Sequence, residues 1–206
     1  MTERLVLHEY AASGNCYKVR LTAALLGIPI DRREYDILKG ETRTPEFLQN
    51  VNANGRIPVL QVGQRFIPES NAASYFVAEG SRLLPTDPFD HADMLRWMFW
   101  EQYNHEPNIA TLRFWTGWVG LDNLTDAQRL QVSGKREAGN AALKLMDDHL
   151  NGRDWFVADH ISLADICLFA YTHVAGDAEF RLGAYPHVSS WIDRVQNQPN
   201  FVPLGA

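Results

Sequence analysis

Glu69-Ser70 is the pair of residues whose types and position could bind a charged small molecule. Residues 65–67 are predicted to form a strand and residues 71–78 a helix, which places Ser70 at a helix N-terminus. Free N–H groups and the positive end of the helix dipole attract a carboxylate there. Glu69 could hold an ammonium group, so the pair suits the α-amino-acid end of a zwitterion. The alternative is that Ser70 is only the N-cap of its helix.

A second hydroxyl that could do chemistry belongs to Ser13, at the head of the first predicted helix. Apolar residues recur at helical spacing between Asn15 and Leu26, and Gly27 with a following proline ends the helix. A serine at a helix start can cap the helix or donate a hydrogen bond to a bound group. Both interpretations remain open from these residues alone.

The composition is that of a folded, acidic protein. The chain has 206 residues, of which 46% are hydrophobic and 21% charged, and its formal net charge is -6. This size suits two small domains, and the charge argues against nucleic acid or an anionic membrane as the main partner. No apolar run is long enough to span a bilayer, and Met1-Thr2-Glu3-Arg4 does not resemble a signal peptide, so we expect a cytoplasmic protein. Cys16, Cys167 and the scattered histidines lack metal-binding spacing, so we expect no metal.

Residues 1–82 alternate between strand and helix signals. The predicted elements are strands over 5–8, 30–37, 59–62 and 65–67, and helices over 15–26, 45–49 and 71–78. Thr44 as N-cap and Pro45 at the first position mark the second helix. Gly63 suits the first position of a type II′ hairpin turn. The resulting order is β-α-β-α-β-β-α, followed by a predicted linker over residues 83–88, which contains two prolines.

Beyond the linker, residues 89–206 carry only helical signals. Helices are predicted over 89–103, 108–118, 126–150 and 186–196, with another beginning after Ser162. Thr125 with Gln128, and Ser162 with Asp165, have the spacing of capping boxes. We interpret the second box as structural, because it determines how an apolar helix begins.

These elements and four motifs resemble the glutathione S-transferase family over essentially the whole chain. The motifs are Ser13-Gly14-Asn15-Cys16-Tyr17-Lys18-Val19-Arg20, Asn54-Gly55-Arg56-Ile57-Pro58-Val59-Leu60, Glu69-Ser70 and Ser162-Leu163-Ala164-Asp165. Each is weak alone, but together, in this order, they are specific. The resemblance implies an α+β fold with an N-terminal thioredoxin-like βαβαββα domain (1–82), a linker (83–88) and an all-helical C-terminal domain (89–206). The chain is similar to bacterial-type, serine-type cytosolic members (theta, zeta or nu-like), which implies glutathione as co-substrate and a homodimer.

The resemblance implies that Ser13 is the catalytic hydroxyl. In serine-type members this group donates a hydrogen bond to the glutathione sulfur, which lowers the pKa of the thiol. Many such members have proline where this chain has Asn15, whose amide could donate a second hydrogen bond, so either residue could be the main donor. Tyr10 would serve a tyrosine-type mechanism, although those members place their tyrosine nearer the strand end. Cys16 follows the position used by cysteine-type enzymes and is interpreted as a packed thiol.

Two further motifs would bind the peptide part of glutathione. Pro58 would be the cis-proline of the thioredoxin-like fold. It would turn the backbone of Ile57 outward, so that the cysteinyl part of glutathione pairs with it like an added strand. The alternative is a plain entry into the hairpin. Glu69 and Ser70 would hold the γ-glutamyl end.

A positive charge is expected at the glycyl end of glutathione, because that end is a carboxylate. Arg43 aligns with a polar position that contacts this end in related classes. Arg56, next to Ile57 in the second motif, is a separate candidate for binding glutathione. Lys39 is an alternative to Arg43, and either side chain could simply be solvated.

The second substrate would lie against the helical half. Tyr103, Asn104 and Phe114 are the candidates for lining a pocket for a hydrophobic electrophile. Trp97 and Trp100 have the helical spacing of core residues. No acid–base pair identifies the electrophile.

Several functions remain open. The first is a glutathione transferase, as in detoxification, whose thiolate attacks an electrophilic carbon. A glutathione-dependent peroxidase, disulfide reductase or isomerase is an alternative, although Gly14-Asn15 replaces part of the Ser-Ser-Cys signature of zeta-type isomerases. The other class is a non-catalytic binding or assembly module, since one fold serves many functions. The presence of Ser13 and Glu69-Ser70 favours an enzyme.

Overall fold

The computed structural model describes residues 4–206, which divide into two compact units. The first contains the described residues up to Arg82 together with Gln198–Ala206, and the second is Leu83–Asn197. The sequence-based division ran the helical domain to residue 206, whereas Gln198–Ala206 groups with the first unit because side chains of that unit hydrogen-bond to its backbone. Leu83 and Leu84, in the predicted linker, are buried and group with the second unit.

The first unit is built on a four-stranded sheet in the order β2-β1-β3-β4. The strands are β1 (Leu5–Glu9), β2 (Asp31–Glu34), β3 (Val59–Val62) and β4 (Arg65–Pro68). β2 runs parallel to β1, and the other neighbouring pairs are antiparallel. All four residues of β2 are exposed, as suits an edge strand, and β2 is shorter than the predicted strand over 30–37. Gly63, at the hairpin turn between β3 and β4, has the positive φ of 60° that its predicted turn position requires.

Three helices complete this unit: α1 (Gly14–Leu25), α2 (Pro45–Asn50) and α3 (Ser70–Ala78). Thr44 caps α2 by accepting a hydrogen bond from the Phe47 N–H over 3.2 Å. α1 and α3 pack against each other and share a buried apolar core with β1 and β3, formed by Leu7, Val19, Ala23, Leu60, Val62, Ala73 and Val77. The predicted order β-α-β-α-β-β-α is therefore confirmed.

The second unit is mostly helical. Its helices are α4 (Pro88–Trp100), α5 (Glu106–Phe114), α6 (Asp126–Leu150), α7 (Leu163–Thr172) and α8 (Pro186–Gln196). Separate helices were predicted over 89–103 and 108–118, and the predicted break between them is absent from the described residues. π-helical turns at Glu101–His105 and Trp115–Val119 keep the backbone helical from Pro88 to Val119, and Pro107 is tolerated because it lies in the first turn of α5. None of the helices described is long and apolar enough to cross a lipid bilayer.

Asp165 organises the start of α7. Its carboxylate accepts hydrogen bonds from the Ser162 N–H (2.8 Å), the Ser162 hydroxyl (2.9 Å), the Phe156 N–H (3.1 Å) and the Trp191 indole N–H (3.0 Å). Complete burial raises the pKa of the Asp165 carboxyl, and these hydrogen bonds oppose the shift. The predicted capping residue Asp165 thus also joins α7 to α8 through Trp191.

Candidate functional site

The N-termini of α1 and α3 lie side by side in the first unit. The Ser70 hydroxyl donates a hydrogen bond to Asn15 Oδ1 over 3.2 Å. A second bond links the same two helices, because Lys18 Nζ donates to Asn71 Oδ1 over 3.1 Å. Each helix start carries N–H groups without intrahelical partners and a partial positive charge. Two such ends close together make a region that attracts anionic groups.

Ser13 is the N-cap of α1. Its hydroxyl oxygen accepts a hydrogen bond from the Cys16 N–H over 3.3 Å, and its own N–H donates to the Tyr10 carbonyl over 2.9 Å. Ser13 therefore does cap α1, as one of its two interpretations predicted. The cap uses the hydroxyl oxygen as an acceptor, so the single hydroxyl proton can still be donated. A bound sulfur would compete for that proton with the Cys16 sulfur.

Cys16 is a buried thiol behind Ser13, as its interpretation as a packed residue required. Burial raises the pKa of Cys16 to about 12, while hydrogen bonds from Ser13 and from the Tyr10 N–H oppose the shift. A thiol with such a pKa is almost entirely un-ionised near neutral pH, which makes it a poor nucleophile.

Glu69 connects β4 to α3 in a strained conformation. Its φ of 73° is unusual for a residue with a side chain and costs about 1–3 kcal/mol. Glu69 is the N-cap of α3 and Ser70 the first helical residue, so the alternative that Ser70 is merely the N-cap was wrong. The Glu69 side chain makes no capping hydrogen bond and is exposed, whereas Ser70 is buried.

The loop before β3 contains a cis peptide bond between Ile57 and Pro58. Arg43 packs on this loop and donates from Nη1 to the Asn54 carbonyl over 3.0 Å. Gly55, with a φ of 62°, leaves the space that Arg43 fills, since a Cβ there would lie 2.6 Å from Arg43 Nη1.

Two further cations are exposed: Lys39, the alternative to Arg43 at the glycyl end, and Arg56, the glutathione-binding candidate next to Ile57. Lys39 Nζ lies 3.0 Å from Asp36 Oδ2. Arg43 thus has a position on the loop that leads to the cis bond, whereas Lys39 forms an ion pair within its own short turn.

The candidates for the second substrate lie in the helical unit. Tyr103 and Asn104 are exposed within the first π-helical turn. Phe114 is 39% exposed and stacks on Trp118 with ring centroids 6.2 Å apart. Trp97 is buried, as predicted for a core residue, and Trp100 packs edge-on against it.

Sequence reasoning missed Lys18 and Asn71. Lys18 lies three residues after Asn15, so both side chains project from the same face of α1, and Lys18 is fully buried. The spacing of three residues from Asn15 is the signal that could have placed Lys18 beside this candidate. The partner Asn71 could not be found this way, because it lies on a different helix.

Fold and site together define a thioredoxin-like module with paired helix starts, followed by a helical unit. Residues 7–79 match the model of the N-terminal domain of glutathione S-transferases, and residues 117–199 match that of the C-terminal domain. The chain is 40% identical to a glutathione S-transferase from Pseudomonas fluorescens Pf-5, covering 97% of this chain and 98% of that one, with a TM-score of 0.90. For a possible glutathione S-transferase from Rhodopseudomonas palustris the identity is 41%, the coverage 98% and 90%, and the TM-score 0.92. The chain belongs to the glutathione S-transferase family.

The similar proteins carry more than one kind of name. Elongation factor 1-gamma 3 from Oryza sativa subsp. japonica is 27% identical over 203 residues, which are 96% of this chain and 47% of that protein. The chain therefore spans about half the length of that relative. Ure2p in complex with glutathione has the same fold, with a TM-score of 0.82, 21% identity, and coverage of 97% and 92%. Family membership alone therefore does not determine the activity of this chain.

Proposed function

We propose that this protein is a glutathione transferase that binds glutathione on its first unit and ionises the thiol for attack on an electrophilic small molecule. The observation that carries the proposal is the hydrogen bond between Ser70 and Asn15. It holds two helix starts together, so that one ligand with a carboxylate and a thiol can use both. Family membership supports glutathione as that ligand, as does the glutathione complex of Ure2p, which shares the fold.

Ser13 and Asn15 would act on the sulfur. A free thiol has a pKa of about 8.5, so only about a few per cent is ionised at neutral pH. A hydrogen bond donated by the Ser13 hydroxyl, together with the N-terminus of α1, favours the thiolate, and each unit of pKa shift corresponds to about 1.4 kcal/mol. The Asn15 amide, whose Oδ1 already accepts from Ser70, would contribute a second hydrogen bond from its nitrogen.

The peptide part of glutathione would lie along the edge of the first unit. The N–H groups at the start of α3, including that of Ser70, would bind the γ-glutamyl carboxylate, and the exposed Glu69 carboxylate would bind the ammonium group. The Ile57 backbone would pair with the cysteinyl part. Arg43 and Arg56 would attract the glycyl carboxylate.

The electrophile would be a hydrophobic small molecule. The proposed contacts are Tyr103, Asn104 and Phe114, because exposed aromatic side chains on a helical surface favour binding of an apolar group.

We further propose that the protein is a cytoplasmic homodimer without a metal.

The proposal is tested by calorimetric titration with glutathione, combined with ultraviolet absorbance of the bound thiolate across pH. We expect saturable binding and a bound thiol pKa well below that of free glutathione. Ser13→Ala should raise the pKa of the bound thiol with little change in the affinity for glutathione. Ser13→Thr keeps a hydroxyl and should keep the pKa of the bound thiol low. Equal loss of binding and thiolate in Ser13→Ala would make Ser13 a binding or capping residue.

A second candidate is a glutathione-binding or assembly module without catalysis. The similarity to elongation factor 1-gamma 3 favours it, because a protein named as an elongation factor, and not as a transferase, matches 96% of this chain. Binding with an unshifted thiol pKa would support this function over the transferase. A thiolate that reduces peroxides or disulfides instead of attacking carbon electrophiles would identify the reductase alternative.

A further inference from the structure

We propose that Gln198–Ala206 is part of the scaffold of the thiol site, and that Arg20 is the positioning residue that links this segment to the loop carrying Ser13. The effect on the thiol of bound glutathione rests on the proposed function. Whether the segment and Arg20 order the loop before Ser13 can be tested in the protein without any ligand.

Arg20 is the centre of this arrangement. Its guanidinium is almost completely buried, and its Nε lies 2.9 Å from Glu9 Oε2 at the end of β1. Nη2 donates to the Ala11 carbonyl over 2.6 Å and to the Leu204 carbonyl over 2.9 Å. One rigid, planar group therefore joins the strand, the loop before Ser13 and the C-terminal segment.

Both backbone polar groups of Ala11, in the loop before Ser13, form hydrogen bonds to side chains. The Ala11 carbonyl accepts from Arg20, and its N–H donates to Glu34 Oε1 over 3.2 Å. Ala11 lies two residues before Ser13, whose N–H closes a turn onto the Tyr10 carbonyl. The position of the Ser13 hydroxyl therefore depends on a backbone that Arg20 holds in place. Misplacement of a reacting group by about 1 Å can reduce a rate about a hundredfold.

The C-terminal segment in turn holds Arg20. Besides the Leu204 carbonyl, the Ala206 backbone oxygen accepts from Arg20 Nη1 over 3.0 Å and from Arg32 Nη1 over 2.7 Å. Tyr17, three residues before Arg20 and hence on the same face of α1, donates from its hydroxyl to the Val202 carbonyl over 2.6 Å. Arg32 also pairs with Glu9. Without the segment, the buried guanidinium would lose acceptors that orient it, and water would compete for Ala11 and Glu9.

The test uses Arg20→Lys and Tyr17→Phe in the full chain, together with deletion of residues 201–206. Tyr17→Phe removes only one hydroxyl and should fold even if the other variants do not. Arg129→Lys is the matched control, because the Arg129 guanidinium also donates to backbone carbonyls, those of Leu121 and Asp122, in the helical unit. Two measurements are made: hydrogen exchange of the backbone amides of Ser13 and Cys16 without ligand, and the pKa of the bound glutathione thiol.

We expect Arg20→Lys to accelerate exchange of these amides about tenfold and to raise the pKa of the bound thiol by about one unit, a roughly tenfold smaller thiolate fraction. Tyr17→Phe and the deletion should shift both in the same direction, and Arg129→Lys should shift neither. A lower melting temperature with unchanged exchange and thiol pKa would overturn the proposal. If the unmodified protein binds no glutathione, the proposed function fails, while the exchange rates still decide whether the segment orders the loop.

Discussion

Ser70 Oγ lies 3.2 Å from Asn15 Oδ1, and this hydrogen bond joins residues 55 positions apart in the chain. It links the first turn of α3 to the first turn of α1, which begins at the cap Ser13. The half of the proposed site that would bind a carboxylate is thereby tied to the half that would bind a sulfur. The two halves should consequently respond to substitution as one unit.

Ser70→Ala and Asn15→Ala should each weaken glutathione binding, and their effects should not add. We expect about a tenfold rise in the dissociation constant for Ser70→Ala, about 1.4 kcal/mol. Because the first substitution already breaks the shared bond, the double variant should lose less than the sum of the single losses by at least about 0.5 kcal/mol. Calorimetric titration of the four proteins measures this coupling. If the two losses in binding free energy simply add, the bond does not couple the two halves of the site. Ser189→Ala is the control, because it removes a hydroxyl that hydrogen-bonds within the helical unit and should leave glutathione binding unchanged.

Asp165→Asn should destabilise the protein strongly. An amide nitrogen in place of one carboxylate oxygen would face the buried Ser162 or Trp191 donors and leave them without acceptors. The expected loss is about 3 kcal/mol or more in the free energy of unfolding. Thr125→Ala removes a similar but exposed capping contact of α6 and should cost about 1 kcal/mol or less. Urea unfolding of both variants measures the difference, and equal small losses would contradict the role of Asp165 as a buried hub.

Two glycines of α6 should respond in opposite ways to alanine. At Gly139 a Cβ would lie 2.5 Å from Phe180 Cζ, and the Arg136 guanidinium lies over that ring. Gly139→Ala should therefore cost about 1–3 kcal/mol through overpacking. Gly134 has open space at the corresponding position, so Gly134→Ala should stabilise the helix by about 0.5–1 kcal/mol. Thermal unfolding measures both, and a gain in stability for both variants would disprove the steric argument.

The free energy of unfolding should fall as the pH is lowered towards 5, in part through His8. Its Nδ1 lies 2.8 Å from the Tyr35 hydroxyl and its Nε2 2.9 Å from Gln61 Oε1. Burial lowers the pKa of His8, and the charge of Arg33 adds to the shift. The unfolded chain therefore binds a proton near the ordinary histidine pKa of about 6.5 while the folded protein does not.

This contribution is fully present above the unfolded pKa and is lost progressively below it, by at most about 1.4 kcal/mol per pH unit. His8→Gln should make the pH dependence shallower. Urea unfolding at several pH values between about 7.5 and 5, a range that spans the ordinary histidine pKa of about 6.5, measures it. Burial lowers the pKa of His149 and His173 as well, so part of the slope should remain. His160→Gln, at an exposed side chain, is the control, and an unchanged slope in His8→Gln would refute the assignment.

Local rules within a few residues predicted most of the elements. The caps Thr44, Thr125 and Ser162 each stand where their helix begins, because capping needs only a side chain and the next few N–H groups. The same locality explains the failure near Pro107. A proline usually ends a helix, but a preceding π-helical turn lets the backbone continue into α5.

The sequence by itself determined the order of the elements, the ends of most helices and the family resemblance, since these depend on spacing along the chain. Only the tertiary structure decided that Ser70 bonds to Asn15, that Lys18 bonds to Asn71, and that Arg20 donates to the backbone of the C-terminal segment. Those partners are separated by many residues, and they meet only after α1 and α3 have packed on the sheet. Side-chain contacts of this kind follow from packing in three dimensions, which periodicity and capping signals do not encode.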